Sequence, residues 1–411
     1  MPRSPSSPAF WRSPLRGPWF TSVLGVVLLA GITVLFVTGL LSYAAYNPDL
    51  SSVNDQTPDK GLLGFYLFSW PTHPSWLYRL TQGIHVTLGI ALIPVLLAKL
   101  WSVVPKLFAL PPARSLAHAL ERLSLLLLVG GGLFEFTTGV LNVQLDYIFP
   151  GSFYPLHFYG AWVFFAAFLA HAVLKTPLAL RNLRHLRDEQ PSGEGELVSP
   201  NPAEPTVSRR GALGVVGGGS LLLLATTAGR SFDGPLRETA LLAPHGGPEP
   251  GGGPGGFQIN KTAAYAGISP TETGEEAWRL VVTGRDGRSV RLDRPQLLQL
   301  ALHSSALPIA CVEGWSTSDQ WWRGVRLRDL AALVGHDDPV DVLVESLQRH
   351  GAFRRAALRA NQVADPRSLL ALFVNGEDLT PDHGYPARVI VPAAPGVLNT
   401  KWVARMTFGD L

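Results

Sequence analysis

Two sets of side chains in this sequence have the types and spacing to carry redox chemistry. The first centres on Cys311, the single cysteine among 411 residues, in the run Cys311-Val312-Glu313-Gly314-Trp315-Ser316, with Trp321, Trp322, Arg323 and Gly324 close behind. A cysteine with no partner in its own chain is either a small buried apolar group or a thiolate offered to a soft metal. The second set is four histidines in apolar surroundings: His85, His118, His157 and His171. His157 and His171 are 14 residues apart, which on a helix separates them by roughly 21 Å and returns them to one face. That spacing suits two haems stacked across a bilayer. Histidine inside a membrane is costly and usually functional, whereas near a span end it can simply sit in the interface.

The elements that position these residues follow from charge and composition. With 46% hydrophobic and only 16% charged residues, the chain is too apolar to be wholly soluble. Residues 17–48 carry no charge, and neither does the run between Arg79 and Lys99. Residues 123–145, interrupted by Glu135, and residues 155–174 complete four expected spans in a bundle over 17–187, after a short tail at 1–16. Lys99, Lys106, Arg114 and Arg122 fill the second connection, and Lys175, Arg181, Arg184 and Arg187 follow the fourth span; the first connection holds only Lys60. The N-terminus is therefore expected in the cytoplasm. On that orientation His85 lies near the outer depth of His157, and His118 near the inner depth of His171. Glu135 in mid-span reads either as a carboxyl kept protonated or paired, or as a proton acceptor beside a quinone site.

Residues 188–208 read as a cytoplasmic linker. Ser208-Arg209-Arg210-Gly211 then opens a charge-free fifth span at 209–229, which has the look of a twin-arginine export signal inside the chain; the two arginines also satisfy the positive-inside rule alone. A Gly/Pro-rich tether is expected at 230–256. From Phe257 the pattern changes to short segments: strands at 278–283, 289–292, 342–346, 370–374 and 388–391, and helices at 295–302 and 327–333. The 17 basic and 17 acidic side chains beyond residue 256 leave no basic face for nucleic acid.

The text around Cys311 resembles the molybdenum-binding segment of the sulfite oxidase family, nearest to its exported bacterial branch. Asn375-Gly376-Glu377, His383-Gly384-Tyr385-Pro386-Ala387-Arg388 and Lys401-Trp402-Val403 resemble the same family's pterin-cradling half, so the likeness covers 257–411. It implies an α+β domain holding a molybdopterin cofactor, with Cys311 as the protein ligand to molybdenum. It further implies Glu313 on the substrate side, Arg388 and Lys401 on the pterin phosphate, and Asn260 and His383 hydrogen-bonded to the pterin. Arg323 is a candidate for steering an oxyanion, and the tryptophans are expected to pack. The four-span block resembles the haem b subunits of membrane-bound formate dehydrogenases and hydrogenases, except that its first span has no histidine. An outer haem on His85 and His157 is expected, and an inner one on His118 and His171, with a single-haem protein as the alternative.

The fold class expected is thus multidomain: an all-α four-helix transmembrane bundle, a fifth transmembrane helix, then an α+β molybdopterin domain outside the cell membrane. The expected function is oxygen-atom exchange at molybdenum, cycling between Mo(VI) and Mo(IV), with electrons passed between the metal, haem b and the quinone pool. The direction stays open between oxidation of a sulfite-like anion and reduction of methionine sulfoxide or another S- or N-oxide. A binding module that has lost its chemistry is the remaining alternative.

Overall fold

The computed structural model describes residues 5–54, 57, 68–108, 110, 115–143, 153–184, 203–232, 234–242, 253–349 and 354–411. Lys60, Arg114 and Arg187, residues 188–202 of the expected linker, and residues 233 and 243–252 of the expected tether lie outside these. The chain divides into two compact units: Met1–Val37, His85–Phe149 and Leu156–Thr226 form the first, and Thr38–Ile84, Pro150–Pro155 and Thr227–Leu411 the second.

Among the described residues, six long helices run through the N-terminal part of the chain: α1 Pro18–Ala45, α2 Leu77–Ala91, α3 Ile93–Leu107, α4 Leu116–Val143, α5 Phe153–Arg184 and α6 Arg209–Ala225. Four stretches among the described residues, over α1, α4, α5 and α6, are long and apolar enough to cross a membrane, and α2 with α3 forms a fifth such stretch bent by 41°. The second expected span is therefore a broken helix. Pro94 explains the break, because it removes an N–H and crowds the preceding turn. Leu92, at the bend, is buried, and its side chain occupies the space a Cβ on Gly31 of α1 would need. Where α3 ends, the Arg122 guanidinium caps the carbonyls of Lys106 (2.5 Å) and Leu107 (3.0 Å). Val173, Leu174, Val215 and Leu221 stay exposed on α5 and α6, as apolar side chains facing lipid would be.

Among its described residues, the second unit is built on two five-stranded sheets. One runs β2-β1-β10-β5-β6, with β1 Leu280–Thr283, β2 Ser289–Leu292, β5 Val342–Ser346, β6 Arg355–Leu358 and β10 Val403–Phe408. The other runs β3-β4-β7-β8, with β9 also on β7, from β3 Leu302–Leu307, β4 Gln320–Arg326, β7 Leu369–Val374, β8 Glu377–Asp378 and β9 Arg388–Ile390. The helix expected at 295–302 is shorter, Arg294–Leu298, and starts at an Asp293 and Gln296 capping box; the residues after it enter β3. β1, β5, β7 and β10 bury Leu280, Val344, Leu370 and Met406 in one core.

That core also takes Tyr46, Trp70 and Tyr78 from the N-terminal part of the chain. The Trp70 indole donates to the Ala393 carbonyl at 2.7 Å, and the Asn47 amide donates to Gln362 Oε1 at 2.8 Å and to the Ala357 carbonyl at 3.1 Å. This unit is consequently larger than 257–411.

Candidate active site

Cys311 closes a tight turn between β3 and β4. Its N–H donates to the Trp315 carbonyl at 2.8 Å, and the Gly314 N–H returns to the Cys311 carbonyl at 3.0 Å. Gly314 supplies the positive φ, 87°, that such a turn needs. The turn is pinned at its base by a bridge from Ala310 to Ser316, and by the Gly396 N–H on the Ala310 carbonyl at 2.7 Å. The Cys311 thiol is buried beside Ile309, Trp315 and Trp322. Burial pushes it well above the ordinary thiol range, and the Glu313 carboxylate, which shares a hydrogen bond with it, pushes further. A bound cation would favour the thiolate form there. Glu313 is itself held, because the Trp315 indole donates to its Oε2 at 2.7 Å.

Trp315 and Ile309 also line a pocket whose other walls bring together Asn260, His383, Arg388 and Lys401, with Lys261, Asn399 and Thr400. Arg388 is buried over the Trp322 ring, 5.1 Å from its centre, and gives its two terminal nitrogens to the carbonyls of His383 (3.1 Å) and Asn399 (3.2 Å). Lys401 Nζ donates to the Asp382 carbonyl at 2.9 Å and to the Lys261 carbonyl. Burial pulls the Lys401 ammonium well below its ordinary value, and the Arg388 charge adds to the effect. His383 stacks on Phe257 at 3.8 Å and hydrogen-bonds the Gly255 carbonyl at 2.8 Å. Burial holds His383 down at about 4. Arg388 Nε, Asn399 Nδ2 and Thr400 Oγ1 are all buried with no hydrogen-bond partner. Three buried polar atoms facing one cationic pocket fit a polyanionic, heteroatom-rich group such as a pterin phosphate.

Arg323 is not brought to this site. β4 alternates buried and exposed residues, so Arg323 points opposite to Trp322, and its guanidinium lies 5.7 Å from the centre of the Phe373 ring. Trp321 is exposed, and Trp315 and Trp322 pack. Lys261, Asn399, Thr400 and Arg230 belong to the site region without having been singled out in the sequence. The first three adjoin Asn260 and Lys401, which was their signal. Arg230 reads only as the charge that ends an apolar run.

In the first unit, the rings of His85 on α2 and His157 on α5 lie 6.3 Å apart, centre to centre, with planes at 84°. His85 Nδ1 meets the Leu35 carbonyl at 3.0 Å, and His157 Nδ1 meets Glu135 Oε2 at 3.0 Å and Thr138 Oγ1 at 3.1 Å. With Nδ1 donating to a carbonyl or a carboxylate, Nε2 becomes the lone-pair nitrogen of each ring. Two imidazoles joined through one metal, at about 2 Å per metal–nitrogen bond, have centres roughly 6 Å apart. Gly160 makes room for the carboxylate: a Cβ there would stand 2.2 Å from Glu135 Oε1. His118 lies in the first turn of α4, and His171 in the second half of α5.

Residues 266–410 match a family model described as the oxidoreductase molybdopterin binding domain. Over 156 residues the chain is 31% identical to mitochondrial sulfite oxidase of Mus musculus, a match covering 32% of this chain and 29% of that one. It is 30% identical over 131 residues to the uncharacterized oxidoreductase YuiH of Bacillus subtilis (strain 168), covering 32% of this chain and 65% of that one. Over 151 residues it is 31% identical to the protein-methionine-sulfoxide reductase catalytic subunit MsrP of Gluconobacter oxydans (strain 621H), covering 32% and 47%. The matches span less than two thirds of each of these relatives.

Proposed function

We propose that residues 266–410, which match the oxidoreductase molybdopterin binding domain, are the catalytic domain of a sulfite oxidase-like enzyme, and that the chain is a membrane-bound oxidoreductase that exchanges an oxygen atom with a small sulfite-like substrate and passes electrons to haem b and a quinone. The carrying observation is the cationic pocket, with its unpartnered buried donors, beside the turn that bears Cys311 and Glu313. Cys311 would ligate molybdenum. Lys261, Arg388 and Lys401 would take the cofactor's phosphate, and Asn260, His383, Asn399 and Thr400 the pterin's polar edges. Bound there, the cofactor supplies the two-electron oxygen exchange and releases electrons singly.

The chain's own residues supply position and protons. Trp315 fixes Glu313 through Oε2, so that Oε1 is the oxygen that takes up or returns a proton as substrate reacts. Burial of Cys311 among apolar side chains excludes water from the thiol. His85 and His157 would hold one haem, with Glu135 fixing the tautomer and orientation of His157 rather than serving a quinone. His118 and His171 would hold a second haem on the cytoplasmic side. In this reading the helices over 17–187 and 209–229 cross the bilayer with the N-terminus in the cytoplasm, and the catalytic unit is carried outward, already folded, behind Arg209 and Arg210 by the twin-arginine machinery.

The likeness to a methionine-sulfoxide reductase subunit supports a second direction, in which electrons leave the membrane to reduce an S-oxide. One experiment separates these readings. Molybdenum and haem are measured in the purified membrane protein, wild type and Cys311→Ala, and haem spectra are recorded before and after adding sulfite or, after dithionite reduction, methionine sulfoxide. One molybdenum per wild-type chain, absent from the variant, with haem reduced by sulfite, is the expected result. Haem oxidised by methionine sulfoxide instead reverses the direction. Absence of molybdenum from the wild type sinks the enzyme reading.

A further inference from the structure

The segment after α6 is built into the Cys311 turn. Ala228–Arg230 and Pro235–Arg237 form two short 3-10 turns, and five hydrogen bonds tie them to residues 313–316. The Ser316 N–H donates to the Arg230 carbonyl at 2.8 Å, and Ser316 Oγ to the Ser231 carbonyl at 2.7 Å. Ser231 Oγ donates to the Gly314 carbonyl at 2.5 Å, Arg237 Nη2 to the Ser316 carbonyl at 2.8 Å, and Arg230 Nη2 to the Glu313 carbonyl. The fold of the segment tolerates no side chain at Gly229, where a Cβ would stand 1.7 Å from the Leu236 carbonyl oxygen. α2 closes the other side: Gln82 donates to the Val312 carbonyl at 2.5 Å, and Gly83 leaves space for Ser231 and Phe232.

Arg230 is 1% exposed, and its Nε and Nη1 are buried without partners. The attractive charge beside it is the Glu313 carboxylate. A buried guanidinium is expensive to keep unless its charge is used. Neither the segment nor Arg230 falls within the region that matches the family model, 266–410. We propose that residues 227–232 and 234–237 are a strap that completes the active site, and that Arg230 is the positioning residue through which the strap holds the Cys311 and Glu313 turn in its working geometry. Misplacement of a reacting group by about 1 Å can cost on the order of a hundredfold in rate, so a turn clamped at five points by a segment outside residues 266–410 is a turn whose position matters.

This inference rests on the reading of Cys311 as the metal-bearing residue, and its test keeps the two apart. Full-length wild type, Arg230→Lys, Arg230→Leu, Gly229→Ala and Ser231→Ala are purified from a host that cannot make the molybdenum cofactor, and alkylation of the sole cysteine by iodoacetamide is timed. Melting temperature checks folding. Arg230→Leu and Gly229→Ala should label at least tenfold faster than wild type, and Arg230→Lys within about threefold of it. The same proteins loaded with cofactor should show a kcat loss of about a hundredfold in Arg230→Leu, partly rescued in Arg230→Lys, with molybdenum content retained. Equal labelling rates across folded variants would overturn the proposal, whether or not the wild type proves to hold molybdenum. If Arg230→Leu does not fold, Ser231→Ala, which leaves the guanidinium in place, decides by the same rate: slow labelling identical to wild type counts against the strap.

Discussion

Arg388, Lys401 and His383 crowd three basic groups into one buried pocket, each resting on backbone carbonyls. Such a cluster is unfavourable until an anion arrives. His383 makes the cost measurable. Its folded value, about 4, lies below the ordinary 6.5, so the unfolded chain binds the extra proton first. The stability His383 confers is complete above pH 6.5 and is lost as pH falls towards 4, amounting to roughly 3 kcal/mol if the full gap applies. Melting curves of the cofactor-free protein should fall across that window, and His383→Gln should flatten the fall. An unchanged slope in the variant would remove His383 from the account. Cys311, Arg388 and Lys401 were legible in the sequence because their neighbours form recognisable runs. Arg230 was not, since its partners lie more than 80 residues away and nothing local marks a buried cation.

At the scale of elements, charge-free runs located the helices, because a helix long and apolar enough to cross a membrane carries few charges along its middle. The same criterion is blind to direction, and so the bend at Pro94 escaped it. β4 was hidden differently: its text carries Trp321, Trp322 and Arg323, residue types that drew attention as chemistry while their alternation carried the strand. The packing of α4 on α5 yields a prediction. Gly160→Ala places a methyl where Glu135 Oε1 now sits, so the carboxylate must leave His157. Under the proposed ligation of a haem by His157, the ligand should then lose its electron-donating hydrogen bond, and the haem midpoint potential should rise relative to wild type, read by redox titration of the haem band. Glu135→Gln should move it the same way. A potential unchanged in both variants would count against Glu135 as the partner of a haem ligand.

On the scale of the whole molecule, sequence reading cut the chain at its Gly/Pro-rich run, where composition changes most. The compact unit ignores that cut, gathering 38–84, 150–155 and 227–411. Asn47, Trp70, Gln82 and Arg230 all donate into the C-terminal part. Pairings between residues 83 to 323 positions apart leave no trace in composition. A fragment of 257–411 should accordingly melt at least about 10 °C below the same unit in the full chain, since each lost buried hydrogen bond costs about 1 kcal/mol; equal melting temperatures would restore the cut. The pairing of Asn47 with Gln362 also sets a schedule. Those residues are 315 positions apart, and at 5–20 residues per second they leave the ribosome roughly 15 to 60 s apart. For that interval the earliest-made pieces of the unit wait for the partners that will cover them.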